Sequence, residues 1–260
     1  MSIVADDYVD FCEGLREICG LDLSQYKRPQ MERRLRSFLA QRGITQLSDC
    51  LSGLRRDRSE LAALLDRVTI NVSQLRRHPE QWHVLDHSVL PQLGAGGRLR
   101  AWSAGCSYGA EAFTLAAVCH RVLRGTPVTI FGTDIDARMV ARAREAIFSD
   151  ADTRDMPPAE LQCGFERVPT GWQARPQLRA MTRFVRADLL RTAVHRAAFD
   201  LILCRNTVIY FSAPVRDEVH ARLAASLRSG GYLVVGATER VTEPAELRLE
   251  LTFPFIYRKS

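Results

Sequence analysis

Over the first 66 residues the apolar positions recur at intervals of three and four, the period of a helix with one buried face. Tyr8, Phe11, Cys12, Leu15 and Ile18 share such a face, and Gly20 stops it. Met31, Leu35 and Leu39 predict a second helix. Leu47, Leu51 and Leu54 predict a third, and Leu61, Leu64 and Leu65 a fourth. Short amphipathic helices in succession predict a small all-α bundle over residues 1–67.

From Arg98 the texture changes. Short apolar segments (Leu99–Ala104, Val128–Thr133, Phe184–Ala187, Leu201–Cys204 and Tyr232–Gly236) alternate with helix patterns around 110–124, 137–147 and 214–228. That alternation predicts an α/β domain over 96–260, a doubly wound parallel sheet with helices on both faces. Residues 68–95 form the linker between bundle and sheet. The closing run, Leu249 to Arg258, has no helix before it and predicts an antiparallel strand near the sheet edge. Turn signals at Cys163-Gly164, Pro169-Thr170-Gly171 and Arg175-Pro176 predict a small β-hairpin inserted over 163–182.

Composition narrows the class. The chain has 260 residues, 46% of them hydrophobic, and a formal net charge of +6. That basic excess is too small to establish a nucleic-acid protein. The opening MSIVADDYVD lacks a positive n-region, so no secretory signal is expected, and no apolar run approaches the roughly 20 residues of a membrane helix. Seven cysteines without a C-x-x-C pair argue against a disulfide framework and against a structural zinc site. The chain reads as soluble and cytoplasmic. One local concentration of charge stands out: Lys27 to Arg36 carries Lys27, Arg28, Arg33, Arg34 and Arg36 against Glu32 alone. It reads either as a docking face for an acidic partner or as a solvated helix face.

The strongest chemical signal is Ala101 to Glu111, where a strand runs into a loop with Gly105 and Gly109 and a helix then begins. Glycine lets backbone approach a ligand closely. The spacing is not G-x-G-x-x-G, and no Lys-Ser/Thr follows, which excludes a P-loop. Taken alone the loop is also an ordinary tight strand–helix turn. Asp134 then ends the second strand, where an acid can accept hydrogen bonds from both ribose hydroxyls, or cap the next helix. Asp188 follows the third strand, within reach of an adenine amino group. A glycine loop and two acids at successive strand ends are the layout of an S-adenosylmethionine site. Cys204-Arg205-Asn206 with Val208-Ile209-Tyr210-Phe211 forms a mixed polar and apolar wall at the fourth strand end, or a core strand followed by a snorkelling Arg. His83 and His87, at i and i+4, fit one face of a linker helix better than a metal site, and no metal is expected.

These segments carry a resemblance along essentially the whole chain. Arg33-Arg34-Leu35-Arg36, Ala104-Gly105-Cys106-Ser107-Tyr108-Gly109, Thr133-Asp134-Ile135-Asp136, Phe199 to Asn206, Val208-Ile209-Tyr210-Phe211 and Gly230-Gly231-Tyr232-Leu233 resemble the chemotaxis receptor methyltransferases, the CheR family of protein-glutamate O-methyltransferases. The resemblance implies an N-terminal helical substrate-docking domain followed by a Rossmann-like S-adenosylmethionine-dependent methyltransferase domain with an inserted β-subdomain. It implies methyl esterification of glutamates on chemoreceptor cytoplasmic helices, with S-adenosylhomocysteine as product. By the same resemblance Asn71, Ser73 and Arg77 lie in a linker that closes over the cofactor, and Gly105, Glu111 and Asp134 match its loop and ribose positions. Asp188 and Leu189 match the pair flanking adenine, and Arg205 and Asn206 the strand-end pair. Arg77 and Tyr210 match the residues beside the transferring methyl.

Two segments depart from the family pattern. Its linker reads Thr-Thr-Asn-Glu-Thr, two aromatics and Arg, whereas Val72, Leu75 and Arg76 stand here at the acid and the aromatics. The loop keeps Glu111 but has Ala110 at the preceding acid. The short turn Val168 to Trp172 resembles members that use no receptor peptide tether. The expected partner is thus the acidic receptor helices, met by a monomer that reaches the membrane only through its receptor and binds no nucleic acid. Other readings are a methyltransferase of the same fold acting on a different protein or on nucleic acid, and a non-catalytic cofactor-binding module.

Overall fold

Every residue of the strand Leu99–Ala104 except Arg100 is buried, and strands on both sides cover its edges. This is the centre of the second of two compact units in a computed structural model that describes residues 5–69 and 73–260. The first unit comprises Met1–Asn71 with Tyr210–Arg216, and the second Val72–Ile209 with Asp217–Ser260.

The first unit is helical. α1 (Ala5–Cys19) buries Tyr8, Phe11, Cys12 and Leu15, and Gly20, at φ +82°, ends it. α2 (Arg28–Arg42) buries Met31, Leu35, Phe38 and Leu39 and closes on Gly43 at φ +65°. α3 (Leu47–Arg56) and α4 (Arg58–Val68) follow, the latter capped by Asp57 accepting from Ser59 N at 2.7 Å. Residues 210–216 return to this unit late in the sequence. Lys27 N donates to the Tyr210 carbonyl at 2.9 Å, Ser212 N to the Gln25 carbonyl at 3.0 Å, and the Tyr26 and Phe211 rings lie 4.9 Å apart.

The second unit opens with α5 (Pro79–Val84), a π-helical turn (Leu85–Val89) and α6 (Leu90–Gly94). Pro91 has no N–H to give the helix, and the run widens just before it. Then come β1 (Leu99–Ala104), α7 (Ala110–Val122), β2 (Val128–Asp134), α8 (Ala137–Glu145) and β3 (Ile147–Phe148). After them lie α9 (Pro158–Gly164), β4 (Phe165–Val168), β5 (Gly171–Ala174), α10 (Pro176–Met181), β6 (Thr182–Arg186) and β7 (Phe199–Cys204). α11 (Ala213–Ser226), β8 (Leu227–Val235), β9 (Leu249–Phe253) and β10 (Ile256–Lys259) complete the chain.

The main sheet runs β6-β2-β1-β7-β8-β10-β9. Its first five strands are parallel, and β10 is antiparallel to both β8 and β9. Strand order reverses between β1 and β7, so a crevice is expected at their carboxyl ends. The α/β reading is correct, and two details differ. The Leu249–Arg258 run is a hairpin rather than one strand, turning at Phe255 (φ +64°) and placing β10 between β8 and β9. The inserted hairpin, β4 with β5, recruits β3 as a third strand, and residues after Arg175 form α10. Among the described residues no helix is long and apolar enough to cross a membrane.

Candidate active site

The loop after β1 turns sharply at Gly105, whose φ of +78° favours glycine. A Cβ there would meet Thr207 Oγ1 at 2.5 Å, so the loops following β1 and β7 touch at this point. Gly105 N and Cys106 N both donate to the Thr133 carbonyl, at 2.8 and 2.9 Å, which ties the loop to β2. Asp134, at the end of β2, accepts from Ser107 N at 2.8 Å on one oxygen and from Asp136 N at 2.9 Å on the other. Each oxygen keeps a lone pair for a further donor. Burial raises the Asp134 carboxyl above the usual carboxylate range, and the backbone donors pull it back.

On the first turn of α7, Glu111 accepts from Ser103 Oγ at 2.7 Å and faces Arg205 Nη1 at 3.6 Å. Arg205 is buried at the end of β7. Its Nε donates to Gln81 Oε1 at 2.9 Å, and its Nη2 reaches the Arg77 carbonyl at 2.5 Å and His78 Nδ1 at 3.2 Å. Gln81 completes the chain by donating to the Val235 carbonyl at 2.9 Å. Burial raises Glu111 and lowers Arg205, and each partner opposes the other's shift. Burial also lowers His78, helped by the charges of Arg205 and Arg77.

Asn206 takes a left-handed conformation (φ +58°) and its N–H donates to Glu239 Oε2 at 2.8 Å. Glu239 also accepts from Gly236 N at 2.5 Å and from Ile209 N at 3.3 Å, so one buried acid gathers the turns after β7 and β8. At the end of β6, Asp188 caps its own turn by accepting from Leu190 N at 2.9 Å, and the Leu189 carbonyl accepts from Arg222 Nε at 3.1 Å.

Residues 73–78 run across this unit as a strap. Tyr108 Oη donates to the Ser73 carbonyl, Leu75 N to the Asp152 carbonyl at 2.8 Å, and Trp82 Nε1 to the Arg77 carbonyl at 3.0 Å. A cleft of ≈ 290 Å³ is lined by Ser73, Gln74, Arg77, His78, Pro79, Glu80 and Asp155. Asn71, also expected here, lies outside the described residues.

The second unit thus gathers Gly105, Glu111, Asp134, Asp188, Arg205 and Asn206 at successive strand ends of one sheet. Glu111, Asp134, Asp188 and Glu239 outnumber Arg205, a donor set that fits a ligand with net positive charge. Ser107 Oγ, buried in the glycine loop without a partner among the described residues, adds an unmet polar group. S-adenosylmethionine, with its sulfonium and α-amino group, has that charge.

The comparisons agree with this geometry. Residues 71–252 match the CheR methyltransferase, SAM binding domain. Residues 6–69 match the CheR methyltransferase, all-alpha domain. This chain belongs to the CheR methyltransferase family. A chemotaxis protein methyltransferase of Listeria innocua is 34% identical over 256 residues, covering 98% of this chain and 97% of the relative. One from Pseudomonas aeruginosa is 31% identical over 251 residues, 92% of each chain, and one from Vibrio cholerae is 31% identical over 252 residues, 93% of this chain and 92% of that one. The second unit of this CheR-family chain is accordingly an S-adenosylmethionine-binding methyltransferase domain.

The remaining expected residues lie in the first unit. Tyr210 packs beneath the Arg34 guanidinium, 5.1 Å from its ring centroid, and Arg34 Nη1 donates to the Val68 carbonyl at 2.5 Å. Arg34 is therefore held inside the unit. Lys27, Arg28, Arg33 and Arg36 are exposed, with Arg28 and Arg36 sharing Glu32 at 2.7 and 3.1 Å. His83 and His87 stack at the surface, 4.2 Å apart, and His87 Nδ1 lies 2.9 Å from the His83 carbonyl. No group of three metal-ligating side chains occurs among the described residues.

Sequence reasoning missed Glu239, Gln81 and Tyr108. An acid three residues past Gly236, at the end of a wholly apolar strand segment, is the signal that Glu239 offered.

Proposed function

We propose that this chain methylates glutamate side chains on chemoreceptor cytoplasmic helices, forming methyl esters, with S-adenosylhomocysteine as the second product. The observation that supports it is the convergence of Glu111, Asp134 and the Arg205–Asn206 turn at the point where strand order reverses, in a chain of this family.

When bound, S-adenosylmethionine supplies an electrophilic methyl group. Asp134 offers its remaining lone pairs to the ribose, Asp188 and Leu189 flank the adenine, and Glu111 with Ser107 receives the polar amino-acid end. Ser73, Gly105, Arg205 and Asn206 would frame the rest of that site, and the family resemblance assigns Asn71 to it as well. A glutamate acceptor is already ionised at neutral pH, so no general base and no metal is needed. What the protein must supply is alignment, which accounts for roughly 7–11 kcal/mol of barrier in well-oriented reactions. Arg77 orients one carboxylate oxygen with its planar fork and leaves the other to attack; the family resemblance gives Tyr210 the role of hydrogen-bond donor to the acceptor.

Lys27, Arg28, Arg33 and Arg36 form the face that steers acidic receptor helices, with a rate that falls as salt rises. Arg34 serves instead to hold Tyr210. The enzyme acts as a cytoplasmic monomer, meets the membrane only through its receptor, uses no peptide tether and binds no nucleic acid.

The test incubates the protein with methyl-labelled S-adenosylmethionine and membranes carrying its own chemoreceptors, then treats the labelled protein with mild base. Release of labelled methanol is the expected result. Base-stable label would move the acceptor to nitrogen, sulfur or nucleic acid. Cofactor binding without any label would favour a regulatory module.

A further inference from the structure

Arg76 occupies one of the two family-aromatic positions in the strap, and its side chain is only 11% exposed. Its Nη1 donates to Glu160 Oε2 at 2.6 Å and its Nη2 to Asp86 Oδ2 at 3.2 Å. Asp86 is held on its other oxygen by Arg121 Nη2 at 2.6 Å. The Arg76 N–H donates to Thr114 Oγ1 at 2.9 Å, and its backbone is left-handed, at φ +56°. One residue of the strap is therefore tied to the π turn (Asp86), α7 (Thr114) and α9 (Glu160).

Such a cluster is a poor device for stability alone, because apolar side chains of similar volume often stabilise as well or better. What it does supply is direction. A planar fork between the Asp86 carboxylate, held by Arg121, and the largely buried Glu160 carboxylate restricts both its position and its orientation. The neighbours are fixed too: Leu75 is fully buried, and the Arg77 carbonyl is gripped by Arg205 and Trp82. With Arg76 turned into the interior, Arg77 is the guanidinium of this turn that lines the cleft.

We infer that Arg76 is a positioning residue for methyl transfer: its buried fork fixes the turn 75–78 and so sets where Arg77 meets the acceptor carboxylate. This rests on the function proposed above.

Arg76→Met alone leaves Glu160 buried without its cation and risks unfolding. Arg76→Met/Glu160→Met removes both charges while Asp86 keeps Arg121. The double variant should unfold cooperatively near the wild-type midpoint and bind S-adenosylmethionine within about threefold of wild type. Its kcat for methanol-releasing label should fall about 10–100-fold, the scale of a misplacement near 1 Å. Arg76→Lys, which keeps the charge without the fork, should fall between. An undiminished kcat in the folded double variant overturns the inference. So does a parallel loss of kcat and cofactor affinity, which would assign Arg76 to cofactor closure only. Wild-type label that is wholly base-stable would instead overturn the glutamate reading, and Arg76's role with it.

Discussion

Replacing Gly105 by Ala tests whether the close approach of two loops shapes the cofactor site. The substitution has two separable costs. Gly105 sits at φ +78°, a conformation that costs an L-residue about 1–2 kcal/mol. The new methyl would also lie 2.5 Å from Thr207 Oγ1 and 2.6 Å from Thr207 Cγ2, and overpacking of this kind typically costs about 1–3 kcal/mol. The sum is about 2–5 kcal/mol. Thr207→Ala removes both clashing atoms, leaving only Cβ at 3.1 Å, and forgoes little, since Thr207 Oγ1 reaches the Arg205 carbonyl at a long 3.3 Å. In a Thr207→Ala background Gly105→Ala should therefore cost about 1–2 kcal/mol, the dihedral part alone.

Urea unfolding of the four proteins in this double-mutant cycle measures the coupling, and calorimetric titration with S-adenosylmethionine measures the site. If the single variant relaxes its loop and the cofactor needs the native one, 2 kcal/mol of strain appears as about a thirtyfold weaker Kd. Equal costs of Gly105→Ala in both backgrounds would refute the steric half of the reasoning. A single-variant cost below about 0.5 kcal/mol would refute both halves.

Arg205→Met should cost about 3–5 kcal/mol by stranding Glu111, and adding Glu111→Gln should recover most of it in urea unfolding. Glu239→Gln puts an NH₂ group among the backbone donors of Asn206, Gly236 and Ile209, with an expected loss of about 1–3 kcal/mol and faster amide hydrogen exchange at Asn206 and Gly236. His78 gives a pH signature. Its folded pKa lies below the usual 6.5, so below that pH the unfolded chain takes up the proton first, and its contribution, intact above 6.5, is lost as pH falls toward the folded value. His78→Asn, which tolerates the same left-handed backbone, should flatten the wild-type decline in stability between pH 7 and the folded pKa, and an unchanged slope would reject the assignment.

Much of this was legible because burial and period coincide. β1 and β7 read as short, mostly apolar segments because nearly all of their residues are buried, and Asp134 stood out as the acid that ends β2. The basic stretch 27–36 was legible as a surface only in part. Arg34 was grouped with its basic neighbours, yet it stands three residues after Met31 and four before Phe38, both buried, so helical geometry turns it inward. Glu239 and Gln81 had no periodic signal, since each is a single polar side chain whose role depends on a turn or helix placed by the tertiary fold. The return of residues 210–216 to the helical unit is likewise a matter of two backbone hydrogen bonds and one ring contact, none of which leaves a trace in hydropathy.

The charge layout of the second unit connects these observations to chemistry. The carboxylates Asp134, Asp188, Glu111 and Glu239 follow the strand ends, whereas Arg77 and His78 lie in the strap with Arg205 against them. A cation therefore finds its counter-charges along the sheet, and on the proposed reaction the acceptor carboxylate finds Arg77 at the strap, beside a His78 kept neutral by burial and its arginine neighbours. Burial strengthens the interactions around Arg205 and Glu239, because charges taken out of water interact through a lower effective dielectric. On the proposed reaction, methyl transfer from a sulfonium to a carboxylate neutralises both charges. Counter-charges held on the reactants stabilise them more than the neutralised transition state, so the two sets of groups serve to bind and align the reactants rather than to lower the barrier by themselves. On that proposal a chain without a convincing catalytic base supplies its reactive environment through where the fold fixes its guanidinium and carboxylate groups, Arg76 among them, rather than through any proton transfer.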